Sequence, residues 1–153
     1  MNYANKDIRN ILVAGHAGCG KTTLIEALLF STDPEMQRAG TVQDGNTVCD
    51  FDPEEQKRHA SLAAAVAPVE YDGVKLNFID VPGLFDFELG MYEGIQAAES
   101  VLITVSARSG VTVGAEKAFH LAEKHGKSKI VFVNKIDLEN ANYYKILENL
   151  KTK

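Results

Sequence analysis

Residues 15–22 read Gly15-His16-Ala17-Gly18-Cys19-Gly20-Lys21-Thr22, an instance of Gly-x-x-x-x-Gly-Lys-Thr, and their flanks decide the fold. Residues 8–15 (IRNILVAG) form an apolar run of strand length. Residues 21–30 (KTTLIEALLF) form a stretch of helix length with Leu24, Ala27 and Leu28 expected on its buried face. A strand that turns into a helix through glycines is a phosphate-binding device. Successive backbone N–H groups curl round the anion, and the helix presents the positive end of its dipole at the same point. Gly15, His16, Ala17, Gly18, Cys19 and Gly20 form the expected cradle, Lys21 reaches the outer phosphates, and Thr22 offers a hydroxyl to Mg²⁺, a hard ion that prefers oxygen. Thr23 follows in the first helical turn and is counted with the phosphate contacts.

Along the rest of the chain, apolar runs of strand length alternate with amphipathic stretches of helix length, the pattern of crossover units on a parallel sheet. Residues 62–71, the turn Asp72-Gly73 and residues 74–80 predict a hairpin. A helix is expected over 88–100, a strand over 101–107, a helix over 112–125, a strand over 129–134 and a last helix over 140–150. Between residues 31 and 60 the periodicity fails. Asp33-Pro34, Ala39-Gly40, Asp44-Gly45 and Asp52-Pro53-Glu54-Glu55 are turn and charge signals, so a long mobile loop with little to bury is expected there. The expected fold class is α/β: a P-loop three-layer sandwich whose twisted sheet is mainly parallel with one antiparallel strand, flanked by helices on both faces.

Two further stretches carry chemistry. Asp80 ends the apolar segment LNFID and precedes Val81-Pro82-Gly83, which puts a carboxylate at the sheet edge beside the phosphate loop. Such an Asp holds Mg²⁺ directly or through water, and Gly83 offers its N–H to a terminal phosphate. Asn134-Lys135-Ile136-Asp137 closes the last apolar strand at the same edge. There Asp137 accepts two hydrogen bonds from the N1–H and exocyclic amine of guanine, a donor pair that adenine lacks, while Lys135 lies along the base plane. An ATP-using enzyme is the reading that remains if residues 134–137 are incidental. Composition narrows the rest. The 21 acidic and 16 basic residues give a formal charge of −5, against a bulk electrostatic grip on nucleic acid, so DNA is not an expected partner. No apolar run nears the ~20 residues of a membrane span, so no membrane partner is expected. Cys19 and Cys49 make no disulfide scaffold and fit a cytoplasmic protein. His120, His125 and Tyr143-Tyr144 read as surface or packing residues, and Arg58 as part of a solvated charged loop.

The ordered set of phosphate loop, Asp80-Val81-Pro82-Gly83 and Asn134-Lys135-Ile136-Asp137 resembles the motifs of the translational GTPases, with elongation factor G the nearest family. Asn10-Ile11-Leu12-Val13, Lys21-Thr22-Thr23-Leu24, residues 58–62, Asp86-Phe87 and residues 132–137 extend the resemblance to that family's N-terminal G domain across nearly the whole chain. Gly15 and residues 57–62 look more like its divergent paralogues. The resemblance implies GTP and GDP as ligands with Mg²⁺, hydrolysis of GTP to GDP and phosphate, a conformational switch, and the ribosome as partner. It implies that Ser61 is the mobile-loop hydroxyl on Mg²⁺ when the terminal phosphate is present, which with Lys21 and Gly83 completes the catalytic set. It also implies a single G domain over residues 1–153, an N-terminal fragment ending before a further guanine-contacting loop and the usual last strand. Gly18 replaces a family Asp associated with a monovalent cation. Leu84 replaces the His that positions the attacking water, so intrinsic hydrolysis is expected to be slow, with His59 as a candidate substitute. The alternative is a nucleotide-gated binding module that scarcely hydrolyses.

Overall fold

A computed structural model describes residues 3–152; Met1, Asn2 and Lys153, the ends of the expected 1–153 domain, lie outside the described residues. Five strands, β1 (Ile8–Ala14), β2 (Ala65–Tyr71), β3 (Val74–Asp80), β4 (Ser100–Ser106) and β5 (Ser128–Asn134), form one sheet in the order β2-β3-β1-β4-β5. Helices α1 (Lys21–Thr32), α2 (Pro53–Arg58), α3 (Leu89–Ala97), α4 (Val113–Lys124) and α5 (Tyr143–Thr152) connect or follow them, with single 3-10 turns at Asn5–Asp7 and Phe85–Phe87. β1 runs parallel to β3 and β4, and β4 to β5, while β2 is antiparallel to β3. Asp72 and Gly73 both take positive φ, 48° and 77°, as the predicted two-residue hairpin turn demands.

Neighbouring β1 residues point to opposite faces and build two cores. On one face Leu12 and Ala14 pack with Ile79, Val101, Ile103, Ile95 from α3 and Ala118 from α4. On the other, Val13 packs with Ala67, Val69 and Phe78 and with Ile25 and Leu29 from α1. Leu12, Ile25, Ile95 and Ile103 are at most 1 % exposed, and each such side chain contributes about 1.5–3 kcal/mol relative to leaving it in water. Within this frame Val13 of β1 pairs with Asp80 of β3, and Ser106 of β4 with Asn134 of β5. The carboxyl ends of these parallel strands therefore bring all three sequence motifs to one edge of the sheet.

Four local expectations are corrected. α1 buries Ile25, Leu29 and Glu26, leaving Ala27 exposed and Leu24 and Leu28 half-buried. Glu26 is 1 % exposed because its carboxylate accepts the N–H groups of Gly40 at 3.0 Å and Val48 at 2.6 Å. Second, residues 31–60 are not a loop with little to bury. They contain α2, which Pro53 opens and Asp52 caps with Glu55 in a reciprocal capping box, and they bury Thr47, Cys49, Asp50 and Glu55. Third, the second strand begins at Ala65 rather than residue 62, because Leu62 and Ala63 donate their N–H groups to Glu55 at 2.8 and 3.1 Å. The helix expected over 88–100 similarly stops at Ala97, and Ser100 already pairs with Ile11 and Ser128 in the sheet. No helix among the described residues is long and apolar enough to cross a membrane.

Candidate functional site

Between β1 and α1 the chain must reverse within six residues, and two glycines show why the loop has its composition. Gly15, at φ 144°, has no room for a Cβ against the carbonyl oxygen of Thr104, and Gly20, at φ 94°, none against the side chain of Asn134. α1 then starts at Lys21, whose side chain, 6 % exposed, folds back so that Nζ donates to the His16 carbonyl at 3.3 Å. The ammonium is thereby held over the loop's own backbone. The Ala17 N–H donates to the Gly83 carbonyl at 3.1 Å, fastening the loop to the segment that follows β3. A Cβ on Gly83 would stand 2.5 Å from both Ala17 N and Lys21 Nζ, so only glycine fits this approach.

Oxygen atoms gather at the start of α1. The Thr22 hydroxyl donates to Asp80 Oδ2 at 2.6 Å and lies 3.5 Å from the Ser61 hydroxyl. Asp80 is 1 % exposed, and its second oxygen, Oδ1, has no hydrogen-bond partner among the described residues. Burial pushes its carboxyl up to about 6, against the pull of the Thr22 hydroxyl and the Lys21 charge. Asp50 stands at the same centre, 3 % exposed, also with an unpartnered Oδ1. Burial raises it too, the Ser61 and Thr47 hydroxyls opposing. Sequence reasoning missed this residue; nothing in spacing separates Asp50 from Asp33, Asp44 or Asp52 in the same segment.

These atoms test whether a divalent cation fits. Two buried carboxylate oxygens without partners and two hydroxyls are a hard-oxygen set of the kind Mg²⁺ takes. Among the described residues no group of three or more His, Cys, Asp or Glu side chains forms a metal cage. The set therefore suits an ion that completes its shell with phosphate oxygens and water, as Mg²⁺ does.

A cavity of about 190 Å³ opens over this centre, lined among others by Lys21, Thr22, Asp50, His59, Ser61 and Leu84. Lys135, also in its lining, donates from Nζ to the Gly18 carbonyl at 2.7 Å, and Asn134 Nδ2 donates to the Cys19 carbonyl at 3.1 Å. The structure thus straps Asn134 and Lys135 to the phosphate loop. Asp137 lies apart, in the exposed turn after them and outside the cavity wall. His16 turns its ring against Phe85 with centroids 5.8 Å apart and leaves a buried Nδ1 unpartnered. The Cys19 thiol is 5 % exposed and pushed up by burial, which keeps it neutral and makes it packing rather than a nucleophile.

The family model for the elongation factor Tu GTP binding domain matches residues 6–153. The chain is similar to the elongation factor G-like protein of Mycobacterium tuberculosis (strain ATCC 25618 / H37Rv), 39 % identical over 140 residues that make up 92 % of this chain and 20 % of that protein. It is also similar to the mitochondrial ribosome-releasing factor 2 of Drosophila willistoni, 33 % identical over 97 % of this chain and 20 % of that protein. The chain spans about a fifth of the length of the curated relatives it matches. Among solved structures, a crystal structure of a Thermus thermophilus protein superposes with a TM-score of 0.90 at 39 % identity, over 95 % of this chain and 22 % of that one. The bacterial selenocysteine-specific elongation factor EF-Sec does so with a TM-score of 0.77 at 25 % identity, over 98 % of this chain and 23 % of that one.

Proposed function

The chain belongs to the elongation factor Tu GTP-binding domain family, a translational GTPase G domain, and from that premise we propose that it binds GTP and GDP with Mg²⁺ and hydrolyses GTP to GDP and phosphate. The observation that carries this reading is the Thr22–Asp80 pair with its unpartnered Oδ1, set under Lys21 at the mouth of the phosphate loop. The loop's backbone N–H groups and Lys21 hold the outer phosphates, and Gly83 brings its own N–H beside them. Thr22, Ser61 and Asp80 would hold Mg²⁺, with the buried Asp50 at the same centre. When bound, Mg²⁺ neutralises charge that develops on the phosphates. Asp137 selects guanine by accepting from N1–H and the exocyclic amine, and Lys135 lies along the base.

Residues 31–60 and the segment after Gly83 both border the cavity, so a terminal phosphate that draws them in and then departs makes hydrolysis a conformational switch. The ribosome is the proposed partner, acting through a longer protein in which residues 1–153 are one G domain. The mitochondrial relative named a ribosome-releasing factor supports this reading. The proposed setting is the cytoplasm.

One observation favours a second reading. Leu84, which cannot hydrogen-bond, stands in the cavity wall beside Gly83. On that reading the domain exchanges GDP and GTP and scarcely hydrolyses.

Calorimetric titration of this chain with GDP and Mg²⁺, with ADP and Asp137→Ala as controls, tests the site. Heat with GDP that ADP does not reproduce and Asp137→Ala abolishes is the expected result; equal response to GDP and ADP would overturn guanine specificity. Single-turnover hydrolysis of GTP then separates the GTPase from the binding module.

A further inference from the structure

We propose that His59 is the catalytic residue that handles the attacking water in this chain, in place of the group missing at Leu84. The inference rests on the GTPase reading above. His59 closes α2 in a left-handed conformation, φ 51° and ψ 42°, its N–H turned back to the carbonyls of Gln56 and Glu55. Glycine fills that position most cheaply, and His, Asn and Asp are the residues with a Cβ that take it most readily.

The ring's contacts indicate its role. His59 Nδ1 lies 2.9 Å from the carbonyl oxygen of Val42, 17 residues away, which fixes the ring against the loop preceding α2. A carbonyl only accepts, so Nδ1 carries a proton, and whenever the ring is neutral Nε2 presents its lone pair. Nε2 makes no hydrogen bond to a described residue. His59 lines the same cavity as Lys21, Ser61, Gly83 and Leu84. Nε2 is thus an oriented acceptor on a residue that lines the cavity proposed to take the terminal phosphate.

The step balances with these groups alone. The water oxygen forms its bond to the γ-phosphorus while the bond from that phosphorus to the β–γ bridging oxygen breaks, its electron pair leaving on GDP. One water proton passes to His59 Nε2 and from the imidazolium to bulk solvent. The Nδ1–H bond to the Val42 carbonyl strengthens as the ring gains charge, so the same contact that orients the ring stabilises its charged form.

The test is single-turnover hydrolysis of GTP with Mg²⁺ by this chain, with GTP affinity measured in parallel. His59→Gly suits the left-handed backbone and is expected to keep the fold and the affinity while lowering the rate by about 10²-fold, the worth of a positioned proton-transfer group. His59→Asn, which also tolerates the left-handed conformation, should do the same. Free imidazole should restore part of the rate to His59→Gly and leave wild type and Lys21→Ala unchanged. A rate that survives His59→Gly, or one that is lost and that imidazole does not restore, overturns the proposal and leaves His59 as a helix cap. A wild-type chain that binds GTP and never hydrolyses it also overturns the proposal while the nucleotide site stands. Absence of guanine-nucleotide binding in wild type brings down the GTPase reading itself, and His59's role with it.

Discussion

The Thr22 hydroxyl reaches the Asp80 carboxylate at 2.6 Å across 58 residues of sequence. The parallel pairing of β1 with β3 makes this contact possible, because it sets Val13 beside Asp80 and so aligns the strand that feeds the phosphate loop with the strand that delivers the acid. One carboxylate oxygen is engaged and the other is buried without a hydrogen-bond partner among the described residues. Burying a carboxylate this way is costly unless a cation answers it.

That cost has a pH signature. Burial holds Asp80 up at about 6, above its ordinary 3.8, so without metal the folded state binds this proton more tightly than the unfolded chain. Its contribution to stability is therefore full below about pH 4 and is lost as pH rises through about 6. A shift of this size corresponds to a loss on the order of 3 kcal/mol. In EDTA, urea denaturation at about pH 4.5 and about pH 7.5 should show wild type losing stability with rising pH and Asp80→Asn losing less. Mg²⁺ with GDP should flatten the wild-type trend. Identical trends in both proteins would remove Asp80 as their source.

Glu26 holds the segment before α2 through the N–H groups of Gly40 and Val48. Glu26→Ala strands both donors and is expected to cost about 2–4 kcal/mol in chemical denaturation, while Glu26→Gln, which keeps one acceptor, costs less. Hydrogen exchange should quicken at residues 40–48 in the Ala variant. Unaltered exchange there would mean that other contacts hold the segment.

At Gly83 an added methyl group meets Ala17 N and Lys21 Nζ at 2.5 Å. Gly83→Ala is therefore expected to push the segment after β3 off the phosphate loop, breaking the Ala17–Gly83 bond and weakening binding of a GTP analogue by about tenfold or more, equivalent to about 1.4 kcal/mol. The two cores lie elsewhere and should hold the fold, so circular dichroism should be retained. Undiminished affinity would show that the loop tolerates separation.

Leu84 is 40 % exposed on the cavity wall, so a polar ring there disturbs no core. In a His59→Gly background, where the proposed acceptor is gone, Leu84→His should raise the single-turnover rate by about tenfold or more. If the double variant stays as slow as His59→Gly, position 84 cannot reach the reacting water.

How far the site was legible differs residue by residue. Lys21, Thr22 and Asp80 announce themselves because their geometry is local: a glycine loop that opens a helix, and an acid that ends a strand, have a fixed shape wherever they occur. Asn134 and Lys135 were legible as a strand end, yet their bonds to the carbonyls of Cys19 and Gly18 were not, since those contacts span more than a hundred residues. The capping box at Asp52 and Glu55 was present in the sequence and passed for loop polarity, because a six-residue helix has too few turns to show a period.

The sequence by itself determined the α/β class, the tight Asp72-Gly73 hairpin and the place of the phosphate loop, because each follows from backbone preference and period within a short window. Tertiary structure alone decided which acids go inside. Glu26, Asp50 and Glu55 are buried because backbone N–H groups or hydroxyls from other segments of the chain receive them: Gly40 and Val48 for Glu26, Ser61 for Asp50, and Leu62 and Ala63 for Glu55. Whether a carboxylate is solvated or buried depends on partners that sequence spacing does not encode.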